Sequence, residues 1–208
     1  MQGRAVVMPR RFLLWCGIVS SLFYVAINSL LPPLYPGYSV VDQTVSELFA
    51  IGAPTRAAWV PLGGAYAAMV IAFGWGVWRS AGVNRLLATS AVLVMITAAI
   101  NLYWPPVHQR GTAFTLTDAL HILWAFGTVF FMLLAIGFGA AALGPGFRRY
   151  SVATLVIIVV FTALTVVQGM RLLYGLPTPW IGVWERIAIG AFLLWVVVLA
   201  SLLLRRRA

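Results

Sequence analysis

The chain has 208 residues, of which 62% are hydrophobic and only 9% are charged. A soluble domain usually carries about 25% charged residues, so a water-soluble fold is excluded and lipid must cover the apolar surface. The net charge of +10 comes from arginines that sit in small groups between apolar runs rather than in one patch or stripe, which argues against nucleic-acid binding.

Six segments are apolar enough to cross a bilayer. A hydrocarbon core of ~30 Å requires about 20 apolar residues in a helix. The first run is too long for the apolar part of a signal peptide, so it is interpreted as a retained helix. The absence of repeats and of low-complexity linkers favours a single domain over residues 1–208. The predicted fold is therefore an all-α polytopic membrane bundle with six transmembrane helices, at residues 12–31, 57–78, 86–104, 119–143, 152–174 and 187–204.

The arginines predict the orientation of these spans. With six crossings, ten arginines fall on one side of the membrane and four on the other. Arginine-rich segments remain in the cytoplasm, so both termini are predicted to be cytoplasmic. We expect a multi-pass protein of the plasma (cytoplasmic) membrane whose partners are membrane lipids, while the sequence leaves the oligomeric state open.

The outer side carries nearly all groups that can perform chemistry. The inner loops hold little besides arginine, glycine, proline and small residues. Ionisable residues close to a membrane are candidates for function. All four acids and both histidines map to the outer side, together with Gln168 near a helix end: Asp42, Glu47, Asp118, Glu185, His108 and His121.

The first outer loop, residues 32–56, contains a helical pattern. Ser39 followed by Asp42 resembles a capping box, and the apolar residues from Val45 onwards share one helical face. We predict a short amphipathic helix here. One interpretation places it on lipid with a solvated polar face. The other turns Ser46 and Glu47 into the bundle, where they require polar partners.

Two further outer segments combine acids with a base. Thr115 or Thr117 can cap the fourth helix, and Asp118 lies on the same helical face as His121. His121 is interpreted as a packing residue, a proton carrier or a metal ligand. At the start of the sixth helix, Glu185 precedes Arg186, which we expect to pair with Asp118 or Glu47. An alternative interpretation of all these charges is a set of salt bridges that tie helix ends together.

These stretches resemble a known family. The run Tyr38-Ser39…Val45-Ser46-Glu47-Leu48…Gly52-Ala53-Pro54 is similar to the first-loop motif of a bacterial integral membrane family catalogued as domain of unknown function nine-nine-eight. The Asp118…His121 and Gly182…Glu185-Arg186 segments and the chain length also fit. The resemblance implies the membrane fold and the importance of these residues, but it implies no reaction.

A weaker similarity concerns membrane hydrolases of the ceramidase and adiponectin-receptor type. Those proteins have seven helices and three histidines on zinc, whereas this chain has six predicted helices and two histidines. A zinc site of His121, His108 and Asp118 with Glu47 as base is conceivable, because zinc accepts nitrogen and oxygen ligands. The sequence identifies no cofactor.

Several functions stay open. The first hypothesis is a polar site on the outer side that binds a lipid headgroup or small amphiphile. The alternative is a membrane-embedded lipid hydrolase in which Glu47, Asp118 and His121 are catalytic. A transporter and a structural or assembly subunit are further alternatives, so enzymatic activity is undecided. The residues expected to bind the ligand are Asp42, Ser46, Gln168, Arg171, Glu185 and Arg186.

Overall fold

The computed structural model describes residues 8–205, which form six α-helices. Two short 3₁₀ helices, Pro32–Leu34 and Val45–Phe49, lie between the first and second α-helices. In chain order the α-helices are α1 (Arg10–Leu30), α2 (Arg56–Ala81), α3 (Arg85–Ile100), α4 (Leu116–Ala142), α5 (Pro145–Leu172) and α6 (Ile181–Arg205).

The helices have the length and composition of membrane-spanning segments. Within residues 8–205, five are long and apolar enough to cross a membrane, namely α1, α2, α4, α5 and α6. Helix α3 is also apolar but has only 16 residues. The predicted all-α, multi-pass membrane bundle is therefore confirmed, and the prediction of six spans depends on α3.

Several helix ends differ from the ends that hydropathy predicts. Helix α5 begins at Pro145 instead of residue 152, since proline suits the first position of a helix. Helix α6 begins at Ile181 instead of residue 187. Helix α3 ends at Ile100 instead of residue 104, where the Asn101 side chain donates a hydrogen bond back to the Thr97 carbonyl at 2.6 Å.

Consecutive helices pack against each other, and α1 also packs against α6, which closes the bundle. Phe73 and Trp195 are fully buried in the core. The indole of Trp195 donates to the Ser151 hydroxyl at 3.0 Å, and the Ser90 hydroxyl donates to the Ala135 carbonyl at 2.7 Å. These hydrogen bonds join α5 to α6 and α3 to α4.

The connections alternate between two ends of the bundle. At the acidic end, three connections meet: the first (residues 31–55), the second (101–115) and the third (173–180). The Ile51 N–H donates to the Val107 carbonyl at 2.8 Å, which joins the first connection to the second. The Gly182 N–H at the start of α6 donates to the Val41 carbonyl at 2.9 Å, which joins the first connection to α6. The opposite end is called the arginine end, because the short α2–α3 and α4–α5 connections and the end of α6 place there Arg79, Arg85, Arg148, Arg149 and Arg205.

The first connection contains a shorter helix than predicted. A turn at residues 40–42 is followed by the 3₁₀ helix Val45–Phe49, so the predicted short helix is present but is a 3₁₀ helix that begins after the Ser39–Asp42 pair. Thr44 and Ala50, on either side of the 3₁₀ helix, have extended backbones. The Ser39 hydroxyl accepts the Asp42 backbone N–H at 3.1 Å and thereby stabilises the turn in competition with a helix.

Candidate functional site

Glu47 lies at the centre of the polar groups of the acidic end, although it is only 7% exposed. Its carboxylate accepts hydrogen bonds from the Thr44 backbone N–H at 2.7 Å and the Thr44 hydroxyl at 3.1 Å. This is the capping box of the 3₁₀ helix. The Gln43 amide donates a further hydrogen bond at 3.1 Å. Local sequence therefore folds the carboxylate back over the start of its own helix.

Arg110 joins Glu47 to the other two connections. Its Nε donates to Glu47 Oε1 at 2.5 Å and its Nη2 to Oε2 at 2.9 Å, a bidentate ion pair. Nη2 also donates to the Asp42 carbonyl at 2.6 Å, and Nη1 donates to the Thr178 hydroxyl at 2.8 Å. A single guanidinium from the second connection thus contacts both the first and the third.

The ion pair controls the protonation of Glu47. Burial acts to raise the pKa of the carboxyl group, but the hydrogen bonds and charge of Arg110, with those of Gln43 and Thr44, outweigh it. The pKa is consequently lowered from its ordinary value of 4.5. Glu47 is therefore ionised at neutral pH, and it accepts hydrogen bonds rather than supplying a proton.

Helix α6 anchors the first connection through two adjacent residues. The Glu185 carboxylate accepts the Val45 backbone N–H at 2.5 Å, at the start of the 3₁₀ helix. Arg186 donates to the Gln43 carbonyl at 3.1 Å and to the Tyr38 hydroxyl at 2.6 Å. Burial raises the pKa of Tyr38 to about 12, against the opposing effect of Arg186. The expected pairing of Arg186 with Asp118 or Glu47 is wrong, because its contacts are with neutral oxygens.

Asp118 caps α4 and binds His108. Its carboxylate accepts the Thr115 backbone N–H at 2.8 Å and hydroxyl at 2.7 Å, which confirms Thr115 as the cap. It also accepts the His108 backbone N–H at 2.8 Å, and His108 Nδ1 lies 3.1 Å away. Asp118 therefore attaches the second connection to the N-terminal end of α4. Its hydrogen bonds go to His108 and Thr115 rather than to His121.

His121 is buried and has a different set of partners. Its Nδ1 lies 2.7 Å from the Pro105 carbonyl oxygen, and its Nε2 lies 2.9 Å from the Ser46 hydroxyl. The rings of Trp104 and Phe49 contact the imidazole, with centroids at 5.0 and 5.9 Å. His121, on α4, therefore contacts both the first and the second connection.

The remaining predicted binding residues do not share one cavity. Asp42 accepts hydrogen bonds from the Trp180 backbone N–H at 3.1 Å and the Ser39 hydroxyl at 3.2 Å. Arg171 is exposed at the end of α5 and donates to the Pro177 carbonyl at 2.8 Å. Gln168, one turn earlier, has a buried side-chain oxygen without a hydrogen-bond partner.

A groove of about 590 Å³ lies between α1, α6 and the first connection. Two of its lining residues have a buried polar atom without a protein partner, namely Arg186 Nε and Asn28 Oδ1. The walls are otherwise mostly apolar. The lining residues are Tyr24, Val25, Asn28, Ser29, Pro32, Pro33, Tyr38, Val40, Arg186, Ile189, Gly190 and Leu193.

The conceivable zinc set is not assembled in the described part of the chain. No three side chains of histidine, cysteine, aspartate or glutamate within residues 8–205 are grouped as metal ligands. Asp118 and His108 are close to each other, but both ring nitrogens of His121 face other partners. The donors are distributed over two separate hydrogen-bond sets.

The chain was compared with protein families, curated proteins and solved structures. A family model described as "Protein of unknown function (DUF998)" matches residues 18–202. The chain belongs to this family. The predicted resemblance is thereby confirmed, and the family description states no activity. No curated protein and no solved structure matches the chain.

In this member of the family, the site residues predicted from sequence lie at one end but form several small sets. Ser46 meets His121, Glu47 meets Arg110, Asp118 meets His108, and Glu185 meets a backbone N–H. Arg110 was not among the site residues predicted from the sequence, although its guanidinium forms the ion pair with Glu47. Arg110 stands in an irregular loop, and no spacing rule relates it to Glu47, which is 63 residues away.

Replacing Glu47 with glutamine should destabilise the protein in a pH-dependent manner. A hydrogen bond to a charged group contributes about 2 kcal/mol, so we expect a loss of that order at pH 7. A lowered acid pKa gives stability that is present above the ordinary value of 4.5 and is lost as the pH falls through the folded-state value. When unfolding is measured in detergent, the difference in unfolding free energy between wild type and Glu47→Gln should therefore become smaller below pH 4.5.

Arg171→Gln serves as the control, because Arg171 is exposed and contacts only a loop carbonyl. Its effect should be small at every pH. If the difference in unfolding free energy between wild type and Glu47→Gln stayed constant from pH 7 to pH 4, the assigned ion pair would be contradicted.

Proposed function

We propose that this family member is a six-span protein of the plasma membrane, with both termini in the cytoplasm, that binds a single-chain amphiphile in the groove between α1 and α6. The observation that carries the binding proposal is the groove itself, which combines apolar walls with the unpaired polar atoms of Arg186 and Asn28. Each part of the proposal has its own support.

The count of six spans is supported by the course of the chain around α3. Helix α2 ends at the arginine end and α4 begins at the acidic end, so α3 must run between the two ends. At 1.5 Å per residue its 16 residues extend about 24 Å, somewhat less than a bilayer core of ~30 Å.

The orientation is supported by the two unequal sets of arginines. The arginine end carries arginines at both of its short connections. The acidic end carries every acidic residue of the chain. Arginine near spans favours the cytoplasmic side. The acidic end, with the groove beside it, would then face the outside of the cell.

The groove has the size and composition of a small-molecule site. Such sites have volumes of about 300–1,000 Å³ and combine apolar walls with a few polar groups. The groove volume of about 590 Å³ falls within this range. Its walls of Val25, Ile189 and Leu193 suit an acyl chain. Its position between two lipid-facing helices gives an amphiphile a path from the bilayer.

The polar residues of the groove suit a headgroup with hydrogen-bonding capacity. A buried polar atom without a partner costs about 1–3 kcal/mol. Arg186 Nε is a donor and Asn28 Oδ1 is an acceptor, and neither has a protein partner. A small movement of either side chain would expose these atoms to the groove, where a ligand group that accepts from one and donates to the other would offset this cost. A hydroxyl-bearing headgroup has both capacities.

The topology can be tested by cysteine labelling in a Cys16→Ala background. Val83 is fully exposed in the turn between α2 and α3, and Ala113 is exposed in the second connection. A membrane-impermeant maleimide should label Ala113→Cys in intact cells and Val83→Cys only after permeabilisation. The reverse pattern would contradict the proposed orientation. Labelling of both cysteines in intact cells would place both positions outside the cell, and would therefore contradict the crossing of the membrane by α3, which lies between them.

Filling the groove should prevent amphiphile binding. A Cβ atom at Gly190 would meet no heavy atom within 4 Å, and Gly190 lines the groove, so Gly190→Phe is chosen to add a ring there. The matched control is Gly127→Phe on α4, which is equally open and lies outside the groove. Native mass spectrometry with added 1-oleoyl lysophosphatidylglycerol should show at least a tenfold loss of bound ligand in Gly190→Phe alone. Equal binding of the lipid to both variants would contradict the proposal that the amphiphile binds in the groove.

A further inference from the structure

The Ser46–His121 contact has a defined hydrogen-bond direction. A carbonyl oxygen only accepts, so the 2.7 Å contact with Pro105 requires the proton of a neutral imidazole to lie on Nδ1. Nε2 then carries a lone pair. The Ser46 hydroxyl, 2.9 Å away, must donate to it. A serine hydroxyl that donates to a histidine lone pair is the arrangement of a nucleophile with its general base.

Both side chains are held in position from several directions. The His121 ring is fixed by the Pro105 carbonyl and by contact with Trp104 and Phe49. Ser46 lies between Val45, whose N–H is bound by Glu185, and Glu47, whose carboxylate is bound by Arg110. The pair is therefore preorganised by contacts from two connections and two helices.

Ser46 is also the accessible residue of its helix. Of the five residues in the 3₁₀ helix, Val45, Glu47, Leu48 and Phe49 are buried, and only Ser46 is partly exposed. A serine that served only to satisfy His121 would not need to reach the surface. Ser46 is thus the residue of this helix that an external molecule can approach, and it is also hydrogen-bonded to the buried histidine.

We propose that Ser46 and His121 form a nucleophile–base pair that cleaves carboxylic esters through an acyl-serine intermediate. The substrate class is an ester located at the membrane surface of the acidic end. The pair does not line the groove, so the proposal is independent of amphiphile binding there.

The proposed reaction has two balanced steps. Ser46 Oγ attacks the ester carbonyl carbon while its proton passes to His121 Nε2, and the C–O bond to the alcohol then breaks as His121 returns that proton to the alcohol oxygen. Water next attacks the acyl-serine, giving one proton to Nε2. The acid leaves, and His121 returns the proton to Ser46 Oγ. Water is the only co-reactant, and no electron transfer occurs.

Burial opposes the positive charge that His121 carries between these proton transfers, and two neighbouring groups offset part of that cost. The Pro105 carbonyl accepts from Nδ1–H and has its negative end toward the ring. The Asp118 carboxylate lies three residues earlier on α4, at the spacing of neighbouring side chains on a helix. Pro105 and Asp118 are positioning and electrostatic groups in this scheme rather than catalytic ones.

The test uses the full chain in detergent micelles with a fluorophosphonate probe, which forms a stable adduct with a nucleophilic serine. Intact mass should show one adduct on wild type, and peptide mapping should place it on Ser46. Ser46→Ala should abolish labelling. His121→Gln should slow it at least about 100-fold, as expected for loss of a general base. Ser39→Ala, in the same connection, should label at the wild-type rate.

Absence of an adduct on folded wild-type protein would overturn the proposal. So would an adduct mapped to another residue, or unchanged labelling in His121→Gln. If Ser46→Ala fails to fold, the mapped position on wild type decides the question without that variant.

Discussion

An ionised carboxylate that leaves water must have its charge and its lone pairs satisfied, or the folded state loses several kcal/mol. Glu47 is in this situation at the acidic end, where it is 7% exposed. Arg110 supplies the opposite charge, and Thr44 and Gln43 supply further donors. Because Arg110 also contacts Asp42 and the third connection, satisfying one carboxylate fixes the relative positions of three otherwise irregular segments.

The other features of this end depend on that arrangement. Ser46 adjoins Glu47 in the same 3₁₀ helix, so the ion pair positions the hydroxyl that meets His121. The first connection, once fixed, presents Tyr38 and its neighbours to Arg186 and completes the wall of the groove. The interlocked connections therefore form a cover over the acidic end of the bundle. Both the groove and the serine–histidine pair are located at the margin of this cover.

The features that sequence predicted well are those with local or periodic signals. Apolar runs located all six helices, and the Thr115–Asp118 spacing identified the cap of α4 because the two residues are one turn apart. The residues that precede the apolar runs of α5 and α6 lay outside the predicted spans, although Glu185 and Arg186 were placed at the start of the sixth helix. Hydropathy measures only the part of a helix that prefers lipid.

Pairings between distant segments could not be predicted in the same way. The sequence selected Ser46, Glu47, Asp118 and His121, but it gave no means to decide which residues touch. Ser46 and His121 are 75 residues apart, and the loops that bring them together have no regular period. The expected partner of Glu47 was Arg186 on a helix, whereas Arg110 in an irregular loop takes that position.

A double-mutant cycle on Glu47 and Arg110 tests the central constraint most directly. Unfolding free energies would be measured in mixed detergent for wild type, Glu47→Gln, Arg110→Gln and the double variant. If the two side chains stabilise the acidic end as a unit, the double variant should be more stable than the sum of single effects predicts, by about 1 kcal/mol or more. Additive effects, within about 0.5 kcal/mol, would contradict the account.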